Sequence, residues 1–161
     1  MIDKLIGTIG SEATLFESFL GLLQRQQAML VADDADGLNE VTADMREKLV
    51  ASSLLAERRE RLVEEIRSAN AIEGDLDVTR LIDIVDQNQA DQLLRLRNLI
   101  TDLNEKINRA RNHNATLLNR SREYIFRMMD MLSRMNNPQA TYAPAGTVAA
   151  RPQNVAMDRR A

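Results

Sequence analysis

Apolar residues recur at steps of three and four along most of the chain, the spacing that places side chains on one face of a helix. Leu5, Ile9, Ala13, Phe16, Leu20, Leu23 and Leu30 predict a first helix over about 3–31, with Gln26 and Gln27 interrupting the stripe. Asp33, Asp34 and Asp36 before Gly37 are N-cap candidates for the next helix, since a carboxylate there accepts from free backbone N–H groups. That second helix, about 35–69, turns Leu38, Val41, Met45, Leu49, Leu55, Leu62 and Ile66 inward. The run Glu57, Arg58, Arg59, Glu60, Arg61 reads as its solvated side, rich in pairs three and four apart.

From Asn70 to Asp77 the chain is polar around Gly74 and reads as a connection, followed by a short helix over 78–85. Asp86 to Gln89 has the spacing of a capping box, which either opens a new helix or lies inside a continuous one. The last helix, 87–135, has the most regular pattern. Leu93, Leu96, Ile100, Leu103, Ile107, Ala110, Asn114, Leu117, Ser121, Tyr124, Met128, Met131 and Met135 alternate steps of three and four without exception. Such a seam keeps facing a partner when helices supercoil left-handed. Polar Asn114 and Ser121 on it weaken the core locally and fix register.

Proline sharpens this picture, because Pro138, Pro144 and Pro152 are the only three and all follow the last helix. With reversals expected near Gly37 and Gly74, the fold class is all-α: an elongated antiparallel helical bundle or coiled coil over residues 1–135. A seam from Leu93 to Met135 spans roughly 65 Å at about 1.5 Å per residue. Residues 136–161 hold every proline and few large apolar side chains, too little to offset the entropy of ordering, and are expected to form a disordered tail. The 161 residues suit one folded unit, and with three Phe, two Tyr and no Trp its packing is aliphatic.

Charge and composition narrow the function. Lys plus Arg is 21 against 24 Asp plus Glu, a net charge of −3 that disfavours nucleic acid as a partner. Three arginines against one aspartate give 136–161 a charge of +2, which leaves −5 for the rest. The absence of Cys removes thiolate nucleophiles, thiolate metal sites and disulfides, and fits a reducing cytoplasm. Met1 to Leu23 carries Asp3, Glu12 and Glu17, unlike a secretory signal, and no stretch reaches the length of a membrane span. The chain is therefore expected to start at Met1 and to be unanchored.

Little here resembles catalytic machinery. His113 is the single imidazole, one position off the seam, and a phosphorelay reading would have to use it. Ala115, Thr116 and Leu117 follow where a phosphotransfer helix carries Lys and Gly. The carboxylates lie along helices among Arg and Lys, and no calcium loop, phosphate loop or nucleophile elbow is present. No enzyme activity, metal or cofactor is expected.

One segment departs from ordinary amphipathicity. Tyr124, Ile125, Phe126, Met128, Met129, Met131, Leu132 and Met135 extend nearly round the helix, broken by Arg127, Asp130, Ser133 and Arg134. Four of the eight methionines fall there, and methionine adapts its shape to differing apolar partners. The segment reads either as a broad bundle-end core or as a face that captures an amphipathic helix of another protein.

The whole chain resembles the FlgN family of flagellar type III export chaperones. The resemblance lies in the N-terminal helical hairpin, in Arg111, Asn112, His113, Asn114, Ala115, Thr116, Leu117 and Leu118 on the long last helix, and in the proline-containing tail. Thr141, Tyr142, Ala143, Pro144, Ala145 and Gly146 are similar to the family's Thr-Tyr-Gly-x-x-Gly-like element, with Ala143 where relatives often carry glycine. Asp158, Arg159, Arg160 and Ala161 resemble its basic, small-residue terminus.

The resemblance implies a cytoplasmic chaperone that grips the C-terminal amphipathic helix of the hook-filament junction proteins FlgK and FlgL, keeps them unassembled and delivers them to the export gate protein FlhA. Tyr124, Ile125, Met128, Met129, Met131, Leu132 and Met135 are then the client-binding residues, and Tyr142, Pro144 and Gly146 the gate-docking ones. The free protein is expected to be a monomer or weak dimer. The competing reading is a structural scaffold that self-associates through the Leu93 to Met135 seam.

Overall fold

The computed structural model describes residues 1–136, which form α1 (Ile2–Ala32), α2 (Ala35–Ala69), α3 (Val78–Asp83) and α4 (Gln87–Asn136). No strand occurs among the described residues, and the class is all-α, as the periodicity predicts. The chain divides into two units, Met1–Ser121 and one that begins at Arg122, within α4. Of the disordered tail expected over 136–161, Asn136 instead closes α4, and residues 137–161 lie outside the described residues.

The first reversal is made by aspartates. Asp33 ends α1 with φ 53°, in the left-handed region, and the N–H of Asp34 closes back on the Met29 carbonyl at 3.0 Å. Asp34 then caps α2, its carboxylate accepting from the N–H of Gly37 at 2.9 Å. The turn expected near Gly37 thus sits at Asp33 and Asp34, and Gly37 belongs to the first turn of α2. Its hydrogen serves close approach: a Cβ there would collide with Met29 Sδ and the Asp34 carboxylate.

α1 and α2 run antiparallel, with Arg25 reaching Glu40 at 3.4 Å and Asp44 at 3.5 Å, and Arg59 meeting Glu12 at 3.1 Å. Within Met1–Ser121, α4 runs parallel to α1. Gln89 Nε2 donates to Asp3 Oδ1 at 2.8 Å near one end, and Asn114 Nδ2 donates to the Leu23 carbonyl at 2.8 Å near the other. The three long helices therefore go up, down and up.

The α2 stripe differs from its expected course. Leu38, Val41, Met45, Lys48, Ser52, Leu55, Arg59, Leu62 and Ile66 are buried or half-buried and keep alternating steps of three and four. Leu49, expected inward, is 55% exposed, and Val50 and Leu54 lie outside with it. Lys48, Ser52 and Arg59 take inward positions because tertiary packing holds the period, and the long basic side chains bury their stems while keeping their heads near water. Arg59, read as part of the solvated run, instead pairs with Glu12, which is buried.

Past α2, Ala71 with φ 51° and Gly74 with φ 81° carry the chain around to α3. Asp77 caps α3 through the Arg80 N–H at 2.8 Å, and the helix ends at Asp83, short of the expected Val85. Asp86 accepts from the Gln89 N–H at 2.9 Å, so the capping spacing does open a new helix. The packed centre of this end joins Leu5, Ile6, Leu62, Ile66, Leu81 and Leu93 from all four helices.

Candidate partner-binding face

Along the seam of α4 the side chains from Leu93 to Ser121 are all buried or half-buried. The α1–α4 hydrogen bonds join residues 86 to 91 apart in sequence, an offset that brings Ala32, the end of α1, level with the region of Ser121. The next seam residues are exposed: Tyr124 at 65%, Met128 at 45%, Met131 at 62% and Met135 at 65%. Ile125, Phe126, Met129 and Leu132 are exposed as well. The segment that the sequence left open between a bundle-end core and a surface is therefore a surface. Apolar side chains at this density on a helix mark a surface where a partner can bury them.

The polar residues among them are held along the helix. Arg127 pairs with Glu123 at 3.9 Å and Arg134 with Asp130 at 2.9 Å, both four residues apart, and the Arg122 guanidinium lies 5.9 Å from the centre of the Phe126 ring. All of these side chains are solvent-exposed, so the pairs stabilise the helix only weakly and remain available to a partner.

Asn114, anticipated as a register-setting polar seam residue, is only 4% exposed. Its amide nitrogen donates to the Leu23 carbonyl and, at 2.9 Å, to Gln26 Oε1, while its Oδ1 has no hydrogen-bond partner. Gln26, which reads in the sequence as an interruption of the α1 stripe, is thus the partner of the polar seam position on α4. A cleft of about 500 Å³ opens beside this pair between Phe19, Leu30, Leu38, Met45 and Leu118. A second, of about 380 Å³, lies between Phe16, Ser52, Arg59 and Ile100.

His113 lies on the exposed side of α4. Glu64 is held below the usual carboxylate range by its hydrogen bond from Arg67, on the exposed surface of α2. Among the described residues no group of three or more His, Cys, Asp or Glu side chains could hold a metal ion. No described helix is long and apolar enough to cross a membrane. Tyr142, Pro144 and Gly146 lie outside the described residues.

Two signals in the site went unused at the level of sequence. Arg127 and Arg134 were read only as breaks in the apolar surface, although they are seven residues apart and share one edge of the helix. Leu118 stands off the seam and is exposed, and it borders the larger cleft.

Comparison with curated proteins and with solved structures returns no match. A family model, described as FlgN protein, matches residues 1–150. That match spans the helical hairpin, α4 with its exposed apolar segment and the Thr141–Gly146 element, and the chain belongs to the FlgN family of flagellar export chaperones.

Proposed function

We propose that the protein is a cytoplasmic chaperone for the hook-filament junction proteins FlgK and FlgL, which binds their C-terminal amphipathic helix, prevents premature assembly and brings them to the export gate protein FlhA. The observation that carries this reading is the exposed apolar segment of α4. An amphipathic helix is the natural complement of such a surface, because it can lay its own apolar stripe against the methionines and return its polar face to water. Methionine suits one face to two clients, since its unbranched thioether repacks against stripes of different shape.

Tyr124, Ile125, Met128, Met129, Met131, Leu132 and Met135 are the proposed client contacts. Tyr142, with Pro144 and Gly146, is the proposed gate contact: one aromatic side chain on a short element can fill an apolar pocket without a large interface. Sedimentation of the full chain with and without a peptide of the FlgK C-terminal helix tests the proposal. A one-to-one complex supports it. An oligomer that ignores the peptide points to the scaffold reading instead.

A further inference from the structure

The buried seam of α4 fixes the helical frame on which its exposed segment is read. With Leu93, Ile100, Ile107, Asn114 and Ser121 at one core position of a seven-residue repeat, Leu96, Leu103, Ala110 and Leu117 occupy the other. The same repeat puts Met128 and Met135 at the first position, and Tyr124 and Met131 at the second. The positions flanking such a seam differ sharply in kind. Ile125 and Leu132 border Met128 and Met135 on one margin, whereas Arg127 and Arg134 border Tyr124 and Met131 on the other.

The acidic partners of these arginines, Glu123 and Asp130, stand farther round the helix, away from the seam. A helix lying on the seam therefore meets guanidinium groups first. Both arginine side chains are at least 80% exposed, so each can turn from its own carboxylate to one across the interface.

We propose that the face from Tyr124 to Met135 takes an amphipathic helix with one acidic flank, docked so that its carboxylates lie along Arg127 and Arg134 and its apolar stripe extends over Ile125 and Leu132. This rests on the helix-capture reading above and adds the charge and orientation of the guest. A second copy of this chain is a poor occupant. Laid antiparallel it sets guanidinium edge against guanidinium edge, and laid parallel it sets each arginine edge against the apolar Ile125 and Leu132 margin. An anionic lipid surface is the weaker alternative, because the chain as a whole carries −3 and the three arginines of 122–135 stand among two carboxylates.

The test is calorimetric titration of the full chain with two synthetic helices of about three heptads. Both carry the same Leu and Ile stripe, and one bears Glu, the other Lys, at the flanking positions. The Glu peptide is expected to bind at least about fivefold tighter at low salt, the advantage shrinking below about twofold near 1 M salt. Arg127→Glu combined with Arg134→Glu, both at exposed positions, is expected to reverse the preference, with circular dichroism confirming unchanged helix content.

Equal binding of the two peptides overturns the charge assignment and leaves helix capture standing. Binding of neither removes helix capture and the proposal together. Flotation of the parent, but not the double variant, with phosphatidylserine vesicles assigns the arginine edge to a lipid surface and also overturns it.

Discussion

Asn114 shows how a single polar residue sets what this fold tolerates. Its two donors are used, by the Leu23 carbonyl and Gln26 Oε1, and both of those partners are acceptors. Replacing the amide by a carboxylate, Asn114→Asp, puts a buried charge against the fixed Leu23 carbonyl oxygen, with the NH2 of Gln26, once its amide flips, as the one donor facing it from α1. Urea unfolding at neutral pH should show a loss of about 2–3 kcal/mol. Because burial disfavours the charged form, the introduced carboxyl takes up its proton at a higher pH in the folded than in the unfolded chain. The deficit relative to the parent at the same pH should then shrink as the solution is acidified through that range. Ala71 gives a prediction of opposite sign. At φ 51° its Cβ crowds the following carbonyl, so Ala71→Gly should gain about 1 kcal/mol in the same measurement.

At the scale of the element, α2 tests how far periodicity alone carries. A reading that follows large apolar residues moves from Met45 to Leu49, whereas the folded helix keeps its period and turns Lys48, Ser52 and Arg59 inward. The α4 seam was legible because nearly every position on it is apolar, so composition and period point to the same face. The α2 stripe was less so, because packing against two neighbours outweighs the preference of individual side chains. The first reversal lies where the aspartate cluster and the 35–69 helix place it, and Gly37 sits inside the first turn of α2, close to Met29 Sδ and the Asp34 carboxylate, rather than in the turn itself. The candidate face could be located in the sequence but not its exposure, because the same apolar spacing serves a buried seam and an open one. Two outcomes follow from the α2 seam. Ser52 lines both the cleft of about 380 Å³ and a smaller one of about 120 Å³, so Ser52→Leu should raise the thermal midpoint, by about 1 kcal/mol in stability. Arg59→Ala, which strands the buried Glu12 carboxylate, should lower stability by about 1–3 kcal/mol, and Arg59→Ala with Glu12→Gln should recover part of that loss.

For the whole molecule, the distribution of apolar residues separates what folds the protein from what it offers to others. Leu93 to Ser121 are covered within the first unit, whereas Tyr124 to Met135 continue the same repeat without cover. Charges introduced in the exposed stretch should therefore leave folding intact and remove the apolar surface a guest helix needs. Met128→Asp with Met131→Asp is expected to abolish calorimetric binding of a FlgK C-terminal peptide with the far-ultraviolet dichroism unchanged. Retained affinity would reject the assigned face. If gate docking resides in the Thr141–Gly146 element, the two tasks are separable: Tyr142→Ala should bind the same peptide within about twofold of the parent, because no client contact is assigned to it, and yet lower the amount of FlgK secreted by flagellated cells. Equal secretion by variant and parent would place gate recognition elsewhere in the chain. A parallel loss of peptide affinity in Tyr142→Ala would instead make this tyrosine part of the client site.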